Sequence, residues 1–255
     1  MRPLFALMWA GFIEARRNRI TVVVAAFAAC LILLTTVVLN STVFTLGRAV
    51  TDFGLGVMSF LMVGLTVFLS GGMLSSEIEK RTVFLIMSRP ISRPRFVLGR
   101  YLGTVLTLTT LMAVMVVLYL SQLFFFEVPV TSAIPAALVG LWVELALIAA
   151  MGFFFSSFTS RIVSAISVVG LYFLGHAAPD VHQLSLYAKS EVVQAAARVL
   201  YRIIPNLDAL DFRSEAAWGA SVQASDVLIA SATAAGWTLV FLVGAALAFS
   251  RRDFR

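Results

Sequence analysis

The amino-acid sequence predicts an all-α integral membrane protein with about six membrane-spanning helices, and three observations predict it. The mean hydropathy is +0.98, with 60% apolar and only 13% charged residues, whereas soluble chains carry charge on roughly a quarter of their residues. Six apolar runs are long enough to cross a bilayer, and Lys and Arg are spread very unevenly over the segments between them. At 255 residues the chain suits one bundle, with no room for a second soluble domain of ordinary size.

A spanning helix needs about 20 apolar residues, because it rises about 1.5 Å per residue and must satisfy its own backbone polar groups. The runs lie near residues 20–39, 55–74, 101–126, 134–157, 162–178 and 227–249. Ahead of the first, Phe5, Met8, Trp9, Phe12 and Ile13 recur at helical spacing, with Arg2, Glu14, Arg16 and Arg17 at the ends. This predicts an N-terminal helix lying flat in the inner interface, the alternative being a disordered leader. It is not a secretory signal, since charges at residues 14–19 break the apolar stretch and the run that follows is long enough to stay in the membrane.

Orientation follows from the positive charges. Segments 1–19, 75–100, 158–161 and 250–255 hold 14 Lys and Arg, against 5 in segments 40–54, 127–133 and 179–226. Cytoplasmic connections carry the excess, so both termini are expected in the cytoplasm, and an even number of spans goes with that.

The same charges exclude other classes. The basic residues flank apolar runs and have no interleaved aromatic or zinc pattern, so nucleic acid is not an expected partner. Cys30 is the single cysteine, which rules out a disulfide framework within the chain. His176, Asp180 and His182 are too irregularly spaced for a metal site, and Pro179 is expected to interrupt the helix between them. Neither H-E-x-x-H nor G-x-S-x-G occurs, so neither a catalytic residue nor a metal is assigned.

On the outer side, segment 179–226 is the one sizeable piece outside the spans. Ser190 suits an N-cap and Glu191 a first turn, while Val192, Ala196, Val199 and Ile203 form one stripe that Pro205 ends. An amphipathic outer helix results. It is either a lid over the bundle, or a gate or docking face for an outer partner.

Between the second and third runs, Ser76 and Glu79 have capping-box spacing, which predicts a short helix from there to Pro90. Val83 to Met87 are five consecutive apolar residues, so they surround such a helix and need more than a lipid surface to cover them. A groove on a cytoplasmic partner would do so, as would the chain's own helix ends, and a short strand also fits the run. Ser92 then caps the next helix with Pro94 in its first turn, so the third span is expected to start at Arg93.

Three stretches here, Glu77-Ile-Glu-Lys-Arg-Thr82, Ser88-Arg-Pro-Ile-Ser-Arg93 and Phe96-Val-Leu-Gly-Arg-Tyr-Leu-Gly103, resemble the cytoplasmic signature of the type 2 permeases of ATP-binding-cassette (ABC) transporters. Arg100 stands where a lysine is common in that family and keeps its charge. Weaker likeness extends to Ser156-Ser-Phe-Thr-Ser-Arg161, Pro205-Asn-Leu-Asp208 and Arg251-Arg-Asp-Phe254. Within the family the chain looks nearest to the branch with the permease for nitrous-oxide reductase maturation.

The resemblance implies a single permease domain over 1–255, in a bacterial inner membrane, paired with a second permease copy, identical or not, and with ATPase subunits. Loop 75–100 is then the coupling loop, and by analogy Glu77, Glu79, Phe84, Ile86 and Arg93 contact the ATPase. The chain has no G-x-x-x-x-G-K-[ST], and neither Lys80 nor Lys189 follows a glycine. ATP and Mg are therefore expected on the partner.

Glu144 falls about ten residues into the fourth run, where an ionisable group is costly and by default functional. No Lys or Arg lies in any run to pair with it, so it is either a transport residue or a hydrogen-bonded residue joining two helices. Small pairs at Gly99 and Gly103, Gly152 and Ser156, and Ala232 and Gly236 permit close helix packing. The expected function is an exporter's permease subunit. The alternatives are a membrane scaffold for a maturation complex and a secondary transporter.

Overall fold

The computed structural model describes residue 8 and residues 20–39, 46–79, 93–187 and 191–251. Among them every regular element is helical: α1 (Ile20–Leu39), α2 (Leu46–Glu79), α3 (Arg93–Phe125), α4 (Ala133–Ser156), α5 (Arg161–Leu186), α6 (Glu191–Ile203), a 3-10 turn (Asp208–Leu210), α7 (Arg213–Trp218) and α8 (Ala224–Arg251). By length and composition, α2, α3, α4, α5 and α8 can each cross a bilayer, and α1 is apolar over Val24–Leu33. The chain is a multi-pass helical membrane protein.

α4 is the hub. Its residues are apolar on every face, which suits a helix surrounded by others, and α2, α3, α5, α7 and α8 all pack on it. In its spanning window 61% of residues are buried, against 17% for α8, so α4 is interior and α8 peripheral. Tyr101 of α3 donates its hydroxyl to the Ala146 carbonyl at 3.2 Å and meets the Phe153 ring edge-on at 5.9 Å. Trp142 Nε1 donates to Thr109 Oγ1 at 2.8 Å, a second tie between α3 and α4. Several buried hydroxyls bond back along their own helix, as Thr66 does to the Met62 carbonyl and Ser70 to that of Thr66, each at 2.7 Å, which removes the cost of placing them away from water.

The antiparallel spans give the bundle two ends. At one, the segment 204–218 folds over the helices, and this is called the capped end. At the opposite end lie the turn 157–160, the C-terminus of α2 and the N-terminus of α3.

Two sequence expectations are corrected. No helix starts at Ser76, because α2 runs through it to Glu79. No proline lies between Leu46 and Glu79 to stop α2, and inside a running helix the N–H groups that a cap would satisfy are already in the ladder. Nor does Pro179 interrupt α5, which continues to Leu186 with the proline inside it. Apart from Met8, the expected N-terminal interfacial helix lies outside the described residues, as do Ser190, Ser92 and the segment holding Phe84 and Ile86.

Candidate functional site

A cluster of titratable groups lies at the capped end, between α4, α5 and the segment after α6. Glu144 is 3% exposed on α4. Its Oε1 is 2.8 Å from Nε2 of His176 on α5, so one proton bridges the two whichever side owns it. The Tyr172 ring, one turn back on α5, meets the imidazole at 4.7 Å between centroids and closes one face of the pair.

The segment from Pro205 to Leu210 reaches down onto this pair. Leu207 and Leu210 are fully buried, although they lie in a connection rather than a span. Two glycines admit them. A Cβ on Gly140 would collide with the Leu210 carbonyl oxygen, and one on Gly175 would lie 2.8 Å from the Leu207 side chain and 2.9 Å from the Pro205 carbonyl oxygen. Gly140 is one turn before Glu144 and Gly175 adjoins His176, so the segment rests within about one helical turn of the buried pair.

Pro179 completes the slot. A proline has no N–H, so the carbonyl four residues earlier in its helix loses its usual donor. That carbonyl belongs to Gly175, and it accepts the Leu207 N–H at 3.3 Å. The residue expected to end α5 instead frees an acceptor inside the helix for the segment that docks on it.

Just beyond, Arg213 at the start of α7 donates Nε to Asp211 Oδ1 at 2.6 Å and a second bond from Nη2 to Oδ2. Burial pushes the Asp211 carboxyl up, but the hydrogen bonds and charge of Arg213 outweigh it and hold it below its ordinary value of 3.8. The same pair raises the Arg213 guanidinium, and the carboxylate of Glu144 adds to that rise. Asp208 is pushed the other way, chiefly by burial. The positive charge near Glu144 therefore comes from outside the spans, which is why a search along the runs alone finds none.

The sequence-predicted residues divide. Glu144 gains His176, a residue weighed in the sequence only as a metal ligand, and among the described residues no cluster suited to a metal includes it. The signal was available: Glu144 and His176 lie at similar depths on helices joined by the four-residue connection 157–160. Glu77 and Glu79 lie in the last turn of α2. Arg93 opens α3 and donates Nη1 to the Ser250 carbonyl at the far end of α8, at 2.6 Å. Nearby, Phe96 stacks on Phe249 at 5.8 Å, so the first turn of α3 and the last of α8 are joined.

The outer stripe of α6 faces away from the bundle: Val192, Val199 and Ile203 are exposed, whereas Ala197 is buried. The stripe is therefore not the underside of a lid. Of the small pairs, Gly152 packs against Ser70, whereas Gly236 faces open space. No family model matches this chain, and no curated protein matches it.

Proposed function

We propose that this chain is the membrane permease subunit of an ABC transporter, with six spans and both termini in the cytoplasm. A separate ATPase grips the segment between α2 and α3. The observation that carries the reading is the stretch from Glu77 to Gly103, with its acidic residues, threonine, proline-serine-arginine turn and glycine-basic entry into the next helix.

The geometry around that stretch supports it. α2 and α3 run for 34 and 33 residues, about 50 Å each against a hydrocarbon core of about 30 Å. Helices of that length reach beyond the hydrocarbon core. Force on the first turn of α3 passes directly to α8 through the Arg93 to Ser250 bond and the Phe96–Phe249 stack. With no phosphate-binding loop in the chain, the hydrolysed nucleotide and its Mg belong to the partner. Export by a pair of such subunits, in a bacterial inner membrane, is the form this activity takes.

A second reading, an ion-coupled carrier, is favoured by the Glu144–His176 pair, because an intramembrane carboxyl and imidazole sharing a proton can act as a relay. Purification of the tagged chain from its native membrane separates the two. An ATP-binding subunit is expected to co-purify and to be lost in Phe84→Glu and Ile86→Glu variants. Recovery of the chain alone, with gradient-driven uptake unchanged in those variants, supports the carrier and sinks the permease.

A further inference from the structure

The capped end holds a cavity of about 470 Å³ that the Glu144 site does not use. Its mouth is lined by Arg202 in the last turn of α6, Asn206, and Asp226 in the first turn of α8. Its depth is lined by Leu147, Phe212, Ala230 and Trp237. From Asp226 to Trp237 is about 16 Å along α8, roughly half the hydrocarbon thickness. The cavity is therefore charged where a membrane boundary lies and apolar where acyl chains lie, and exposed Ile229 joins its wall to the bare apolar face of α8.

Two further observations identify what fits. First, Arg202 and Asp226 line the same mouth, yet among the described residues no ion pair joins them. A guanidinium offers a fork of donors suited to phosphate, and a carboxylate beside it accepts from an ammonium. Asn206 Oδ1 already accepts the Ala209 N–H at 3.2 Å, which leaves its amide NH2 as a further donor toward phosphate.

Second, α6 has the form of a helix lying at a lipid boundary. Its stripe of Val192, Val199 and Ile203 is exposed on one side, while Arg198 and Arg202 are exposed on another. Such a helix buries its apolar side at the headgroup level and holds its basic side chains in the polar layer. That sets Arg202 at the height of a lipid phosphate.

We propose that this cavity binds one zwitterionic glycerophospholipid drawn from the leaflet at the capped end, its phosphate on Arg202, its ammonium on Asp226 and an acyl chain against Trp237. The site does not depend on ATPase pairing. A bound lipid of this kind ties α6 and the segment after it to α8, and so steadies the cover over the Glu144–His176 pair.

The test uses the full chain in nanodiscs that contain phosphatidylethanolamine or phosphatidylglycerol with brominated acyl chains, which quench tryptophan. The Trp237 signal is the difference between the parent and a Trp237→Phe variant. Brominated phosphatidylethanolamine is expected to quench it saturably and phosphatidylglycerol to do so weakly. Loss of a charge-assisted hydrogen bond in Arg202→Glu is expected to raise the half-quenching lipid fraction about tenfold, and Asp226→Asn to erase the headgroup preference. Both side chains are exposed, so both variants keep the fold, which a melting curve checks. Quenching that is linear in brominated lipid, equal for both headgroups and indifferent to Arg202→Glu means bulk lipid only and overturns the proposal. A preference for phosphatidylglycerol, or displacement of the lipid by a co-purifying protein, overturns it as well.

Discussion

At its C-terminal end α4 is held by contacts among small residues, whereas at its N-terminal half it is held by titratable groups and a docked segment. Gly152 lies so close to α2 that a Cβ there would collide with Ser70 Oγ, and Ser164 of α5 donates its hydroxyl to the Gly152 carbonyl at 3.3 Å. The groups in that contact are themselves uncharged, and the Arg161 side chain packs beside them on Gly72 of α2. At the capped end the same helix relies on Glu144 and His176, with Asp211 and Arg213 beside them and the Pro205–Leu210 segment pressed between α4 and α5. Close van der Waals packing has no soft alternative arrangement, but a proton-bearing pair and a docked loop can be released at modest cost. The difference makes the glycine end the fixed point and the capped end the part able to open.

The largest effect is expected where the fixed end is forced apart. Gly152→Val should cost about 2–3 kcal/mol through overpacking, read as a lower melting temperature in detergent, and Ser70→Gly should recover part of it. A Gly152→Val chain as stable as the parent would remove the distinction between the ends.

Next is the buried pair. Glu144→Ala leaves His176 without its partner and should cost about 1–3 kcal/mol, with the loss appearing as opening of the capped end. In a Cys30→Ser background, Leu207→Cys should resist a water-soluble maleimide and become reactive once Glu144→Ala is added. Glu144→Gln keeps a hydrogen-bonding group and should keep the cysteine hidden. Equal labelling in all three would mean that the pair does not hold the segment.

The smallest effect sharpens the comparison through pH. The folded chain holds the Asp211 carboxyl below its ordinary 3.8, so its stabilisation is complete above that value and fades as acid titrates it through the lowered one. Asp211→Asn should cost about 1 kcal/mol or less at neutral pH, and the gap between variant and parent should close as pH falls below 3.8. Gly152→Val, by contrast, should show a penalty independent of pH.

Much of the scaffold was legible in the sequence. Helices cover every apolar run among the described residues. Ser76 misled because a capping pair marks a helix start only if no helix is already running. Pro179 would break an isolated helix, whereas here the acceptor it frees takes the Leu207 N–H. Half of the candidate site was also legible, since Glu144 stands out as a charge in an apolar run.

What the sequence determined alone is therefore the helical membrane character, the uneven placement of positive charge and the oddity of Glu144. Each is a property of a short stretch of chain, because a helix in lipid must satisfy its backbone polar groups within itself. What only the tertiary structure decided is which groups come together across helices: His176 bonded to Glu144, Leu207 bonded to Gly175, and Arg202 and Asp226 lining one cavity. The short connection 157–160 sets Glu144 and His176 at similar depths, but the meetings also depend on helix rotation in the packed bundle, of which neighbouring residues along the chain carry no record.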